Sequence, residues 1–192
     1  MVQKLAARGA TANQVTISAA VLSLLGGVII ALWPAASFPF FLLPFLLFVR
    51  MALNAIDGML ARECGQQSKL GAILNELGDV FSDTFLYLPF ALVPGISPLL
   101  MTAVVLLAII SEMTGVVAIQ IGAKRQYKGP MGKSDRALWL GAFSLALAMG
   151  YRAPLGMNLF LAAVLLLLLK TLYNRIATAL RETAPPADSP IP

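Results

Sequence analysis

The acidic and amide side chains of this sequence gather where lipid would make them costly. Arg50, Asn54 and Asp57 fall at spacings of four and three inside an apolar stretch from Phe38 to Ala61. At about 100° per residue, a helix puts all three on one face. Asn75, Glu76, Asp79 and Asp83 follow in the next apolar stretch, Leu70 to Val93, and occupy an arc of about 100° by the same arithmetic. Two such helices joined by a short loop can face each other across a nest of oxygen atoms, with Glu112 from a later stretch as a further member. Oxygen donors without histidine or thiolate suit a hard cation such as Mg2+ or Mn2+. The competing arrangement is an intramembrane ion-pair network in which Arg50 neutralises the acids. Charge clustering by itself leaves both open.

The elements that must position these residues are membrane helices. Of 192 residues, 59% are hydrophobic and 12% charged, against about 45–50% and about 25% in soluble domains. Six apolar stretches run Val15 to Trp33, Phe38 to Ala61, Leu70 to Val93, Leu99 to Ile121, Ala137 to Tyr151 and Leu155 to Tyr173. Most approach the ~20 residues that cross a bilayer; the fifth is short. Lipid offers the backbone no hydrogen-bond partner, so these stretches are expected as helices. An all-α, six-helix membrane domain over residues 1–183 follows, with residues 184–192, rich in proline and small side chains, as a disordered tail. The first apolar run exceeds the ~7–15 residues of a signal-peptide core, which predicts a retained helix.

Basic residues fix an expected orientation. Lys4, Arg8, Arg62, Lys69, Lys124, Arg125, Lys128, Lys133, Arg136, Arg175 and Arg181 fall near one set of helix ends, and the opposite loops hold only Arg152. The positive-inside rule then makes both termini cytoplasmic. The net charge of +5 is thereby spent on topology, without the solvated basic face that nucleic acid requires. Cys64 is the only cysteine and histidine is absent. Disulfides, histidine catalysis and Cys/His zinc sites are excluded.

Spacing carries the reading further. From Asn54 the chain runs NAIDGMLARECGQQSKLGAILNELGDVFSD. It resembles the signature of the CDP-alcohol phosphotransferase (CDP-alcohol phosphatidyltransferase) family, DxxDGxxAR, eight residues, then GxxxDxxxD. Asp57, Gly58, Ala61, Arg62, Gly71 and Asp79 match in type and spacing, while Asn54 and Asn75 replace the first and third aspartates. Within the family the chain is similar to a YnbA-like bacterial subgroup. The resemblance implies a multi-pass enzyme of the bacterial inner membrane that passes the phosphoalcohol group of a CDP-alcohol, such as CDP-diacylglycerol, to an acceptor alcohol and releases CMP. It implies one or two divalent ions, with Asp57 and Asp79 as ligands, carbonyl oxygens from Asn54 and Asn75, and Glu76 or Asp83 as alternatives that restore a carboxylate. Asp79 would also be the general base.

The resemblance further assigns the nucleotide to Gly58, Ala61, Arg62 and Gly71. Small residues also serve helix packing, and a terminal arginine also serves topology. Asn13, in the polar stretch Thr11 to Thr16, either touches the nucleotide or caps the first helix. Lys133, Ser134 and Arg175 are the implied acceptor site, although topological charge explains the cations equally well. A homodimer is implied by the family alone. Two alternatives differ in class: a non-catalytic relative that keeps nucleotide binding, and a small transporter using the intramembrane acids.

Overall fold

The computed structural model describes residues 2–184, and among them the chain is all-helical. Seven helices follow in order: α1 (Val2–Ala7), α2 (Ala12–Leu32), α3 (Phe38–Glu63), α4 (Lys69–Tyr87), α5 (Pro98–Val117), α6 (Lys133–Ala148) and α7 (Pro154–Thr183). Short 3-10 turns at Leu88–Leu92 and Ala118–Ile121 prolong α4 and α5. Apart from Ala184, the tail expected to be disordered lies outside the described residues.

Local chemistry sets the helix starts. Thr11 and Gln14 cap α2 reciprocally: the Thr11 hydroxyl accepts from the Gln14 amide at 3.2 Å, and the Gln14 side chain accepts from the Thr11 amide at 3.0 Å. The cap expected of Asn13 thus belongs to Thr11. Ser68 starts α4 by accepting from the Gly71 amide at 2.9 Å. Prolines sit in the first turn of α3, α5 and α7, where no amide donor is needed.

Four helices are long and apolar enough to cross a membrane: α2, α3, α5 with its 3-10 turn, and α7. Their outward residues, among them Phe45, Phe48, Leu99 and Leu166, are exposed and apolar. Of the six expected spans, α4 and α6 do not meet that standard. α4 carries Lys69, Glu76, Asp79 and Asp83, and α6 has 16 residues. These two helices supply much of the polar chemistry described below.

Phe40, Phe90, Phe143 and Phe160 anchor the apolar core, with successive ring centroids 5.5, 6.0 and 4.6 Å apart. Phe40 lies near the start of α3, while Asp57 lies roughly 25 Å further along it at the helical rise. Apolar packing therefore dominates one end of the bundle and polar side chains the other.

Two close approaches fix the packing of α2 on α4 and of the α5–α6 loop on α5. α2 crosses α4 at Gly27, where an added Cβ would overlap the backbone carbonyl of Phe85. The loop joining α5 to α6 lies on α5 at Gly115, whose carbonyl accepts from the Gln126 amide at 3.1 Å. A Cβ on Gly115 would stand 2.5 Å from the Gln126 carbonyl oxygen. The same loop is tied to α7, with the Met131 amide on the Thr171 hydroxyl at 2.9 Å and the Lys124 amide on the Glu182 carboxylate at 3.1 Å.

Gly27→Ala should lower the thermal midpoint of the detergent-solubilised protein by about 5 °C, because overpacking costs about 1–3 kcal/mol. An unchanged midpoint in a light-scattering or fluorescence melt would contradict this packing.

Candidate active site

The structure sorts the acids into two groups. The first pairs with three buried arginines: the side chains of Arg50, Arg136 and Arg175 are 1%, 2% and 2% exposed. Arg136 donates from Nε to Asp83 Oδ2 at 2.9 Å, from Nη2 to Glu112 Oε1 at 3.0 Å and from Nη1 to the Met131 carbonyl at 3.2 Å. Arg50 Nη1 lies 2.5 Å from Asp83 Oδ1, an ion pair without hydrogen-bond alignment. Its Nη2 donates to the Asp79 carbonyl at 3.2 Å. Arg175 donates to the Ser111 carbonyl at 2.5 Å and to Glu112 at 3.3 Å. One polar network thereby joins α3, α4, α5, α6 and α7. Arg136, read from sequence among the topological positives, and Arg175, read there and in the implied acceptor site, are both buried.

The second group opens onto a cavity of about 1040 Å³. Asn54 and Asp57 on α3 and Asn75 and Asp79 on α4 all line it, as the helical arcs require. Asp57 Oδ2 accepts from the Thr16 hydroxyl of α2 at 2.7 Å. Asp79 Oδ1 accepts from Asn54 Nδ2 at 3.1 Å and from Lys133 Nζ of α6, with Arg50 Nη2 3.8 Å away. The Asn54 amide must present its nitrogen there, since an ionised carboxylate only accepts. Glu76 and Asp83 do not line the cavity. Glu76 pairs with Arg125 at 2.5 Å, and Asp83 belongs to the arginine network.

Gly58, Ala61, Arg62, Gly71 and Asn13 line the α2–α3–α4 side. Arg62 folds over Gly58, with its guanidinium 3.4 Å from where a Cβ would be. A Cβ on Gly71 would come within 2.9 Å of the Asn13 carboxamide oxygen, so this glycine lets the start of α2 close on α4. Lys133, Ser134 and Arg175 line the opposite wall.

Several lining residues escaped the sequence reading. Arg125 and Tyr127 enter from the α5–α6 loop, the guanidinium 4.4 Å from the ring centroid. Gln66 closes the α3–α4 end, accepting from the Ala12 amide at 2.7 Å and donating to the Ala10 carbonyl at 3.2 Å. Thr16 alone carried a signal, since it closes the polar start of α2 one turn beyond Ala12.

A divalent ion can be tested against this donor set. Among the described residues no three Asp, Glu, Cys or His side chains form a metal-sized cluster. Two carboxylates and two carboxamides do share the cavity, all oxygen donors, which is chemistry that fits a hard cation. They carry half the negative charge of four aspartates.

The sequence profile of the CDP-alcohol phosphatidyltransferase family matches residues 10–183. The chain belongs to this family. It is thus a membrane transferase of phospholipid biosynthesis. Inner membrane protein YnbA of Escherichia coli (strain K12) is 48% identical over 174 residues, covering 91% of this chain and 86% of that protein. The fold is similar to phosphatidylinositol phosphate synthase (PgsA1) of Mycobacterium tuberculosis. With CDP-DAG bound, that enzyme superposes at a TM-score of 0.78 and 16% identity, covering 100% of this chain and 96% of its own. Its complex with manganese and citrate gives 0.77 at 16% identity, covering 100% and 91%.

Asp83→Asn should cost about 3–5 kcal/mol, the penalty for stranding buried cations, and reduce the yield of monodisperse protein on size-exclusion chromatography. A variant that elutes and melts like the parent would contradict the structural role of Asp83.

Proposed function

We propose that the protein transfers the phosphatidyl group of CDP-diacylglycerol, or a similar lipid-linked CDP donor, to an acceptor alcohol with release of CMP. The observation that carries this reading is the single cavity into which the motif residues of α3 and α4 and the cations of α6, α7 and the α5–α6 loop all project. The donor's nucleotide lies along Gly58, Ala61, Arg62, Gly71 and Asn13, and the acceptor lies toward Lys133, Ser134 and Arg175. The CDP-DAG in the similarly folded PgsA1 supports a donor of that kind.

Asp57 and Asp79, with the carbonyl oxygens of Asn54 and Asn75, would hold Mg2+ or Mn2+; manganese in PgsA1 supports the metal class. When bound, such an ion neutralises diphosphate oxygens during phosphoryl transfer. Asp79 takes the proton from the acceptor hydroxyl. Lys133 and Asn54 both hold its Oδ1, leaving Oδ2 to face that hydroxyl. The hydroxyl oxygen forms a bond to the phosphorus bearing the diacylglycerol. The bond from that phosphorus to the bridging oxygen breaks, and CMP leaves with the electron pair.

The enzyme is placed in the bacterial inner membrane as one domain over residues 1–183, with six spans, cytoplasmic termini and a homodimeric assembly. Its likeness to an inner membrane protein supports the location, and the basic residues at one set of helix ends support the orientation. A non-catalytic relative that retains nucleotide binding is the second reading. It is favoured by the amide substitutions at 54 and 75 and by the Lys133 ammonium on Asp79. A transport pathway has less support, because Asp83 and Glu112 are locked against arginines.

Purified protein given CDP-diacylglycerol, Mn2+ and a mixture of alcohols should release CMP. Chelation should stop it, and Asp79→Asn should slow it at least about 100-fold with unchanged elution. Donor binding without CMP release from any alcohol would favour the non-catalytic reading.

A further inference from the structure

The two motif carboxylates are held differently. Asp57 accepts from a neutral group, the Thr16 hydroxyl at 2.7 Å, and takes part in no ion pair among the described residues. Asp79 Oδ1 accepts from the Lys133 ammonium and from Asn54 Nδ2 at 3.1 Å. With Oδ2 facing the acceptor hydroxyl, Oδ1 is also the oxygen left for a divalent ion. Two cations side by side on one oxygen repel at contact distance, most strongly where water is scarce. The other cavity carboxylates offer no such conflict. Glu112 is gripped by Arg136 and Arg175, each 2% exposed, and Asp135 accepts from the Gly132 amide at 2.9 Å without an ion pair among the described residues.

We infer that Lys133 is an exchangeable counter-ion of Asp79: a divalent ion entering the site takes its place on Oδ1 and releases the ammonium into the cavity. The inference rests on the metal site of the transfer reading above. Lys133 is built to leave. It is the first residue of α6, its side chain is 23% exposed, and Asp79 is its one ion-pair partner among the described residues. A flexible four-carbon stem lets the ammonium swing away, and the positive end of the α6 dipole does not favour a cation there. Asn54 Nδ2 on Oδ1 and Arg50 on the Asp79 carbonyl at 3.2 Å stay in place. The carboxylate therefore keeps its orientation, and Oδ2 its face toward the hydroxyl. The exchange also sets an order. Until the ion arrives Lys133 neutralises Asp79; afterwards the same ammonium can meet a negatively charged substrate group, so metal loading raises the affinity of the cavity for anions.

The test measures Mn2+ binding to the purified full chain in detergent micelles, without donor, by electron paramagnetic resonance. Lys133→Gln should bind Mn2+ about tenfold more tightly than the parent. Lys69→Gln removes a cavity-lining cation that contacts no carboxylate among the described residues, and should change the affinity by less than about twofold. Equal affinity in the parent and Lys133→Gln, or an equal gain in both variants, overturns the inference and leaves the metal reading standing. No Mn2+ binding by the parent or either variant overturns both. A second measurement needs no variant. Acetylation of the intact parent by acetic anhydride, located by mass spectrometry, should rise at least about threefold at Lys133 on saturation with Mn2+, because a lysine freed of its carboxylate loses its proton more readily. Lys69 should stay level. A Lys133 rate that stays level or falls overturns the inference, even where Lys133→Gln does not fold.

Discussion

Three guanidinium groups, from Arg50, Arg136 and Arg175, lie almost wholly out of reach of water inside the helix bundle, and none can give up its charge. A charge buried in this way persists only when acids and carbonyls surround it. Asp83 and Glu112 are consequently fixed between α3, α4, α5, α6 and α7, with the Ser111 and Met131 carbonyls as further acceptors. Helices that lipid alone would leave free to slide are held in register by these pairs. Removing Asp83 would strand Arg50 of α3 and Arg136 of α6 together.

That clamp also divides labour among the acids. Because Asp83 and Glu76 are taken up by arginines, the carboxylates of α3 and α4 left to face the cavity are those of the motif, Asp57 and Asp79. Arg50 touches both levels, gripping Asp83 with one nitrogen and the backbone of Asp79 with the other. The cavity wall is therefore stiff where the proposed chemistry needs fixed geometry. On the far side the α5–α6 loop is strapped to Gly115, Thr171 and Glu182, which delivers Arg125, Tyr127 and Lys133 to the cavity.

Much of this was legible in the residues alone. Spacing placed Asn54 and Asp57 on one helix face and Asn75 and Asp79 on another, and all four share the cavity. The 3.6-residue period puts each pair on one helix face once the segments are helices. What spacing could not separate was Asp83 from Asp79: one turn apart on α4, they face the same way, and only the neighbouring α6 decides that Arg136 claims the deeper one. The short helix α1 was missed because its amphipathic residues merge with the polar N-terminus, and it forms by packing Val2 against Leu60. Arg125 and Tyr127 were invisible for a different reason. Their position depends on glycines 115 and 129, whose close contacts with Gln126 and Thr171 are tertiary and leave no period in the sequence.

The amide substitutions at 54 and 75 give the account its sharpest consequence. Asparagine can coordinate but cannot neutralise, so Asp57 and Asp79 balance one divalent ion, and concentrating a second uncompensated charge in a partly desolvated site is costly. The donor's diphosphate brings the missing negative charge. Counting Mn2+ bound to the purified chain by electron paramagnetic resonance, with and without CDP-diacylglycerol, reads this directly. One tightly held ion alone and two with the donor is the predicted result; two tightly held ions without the donor would contradict it.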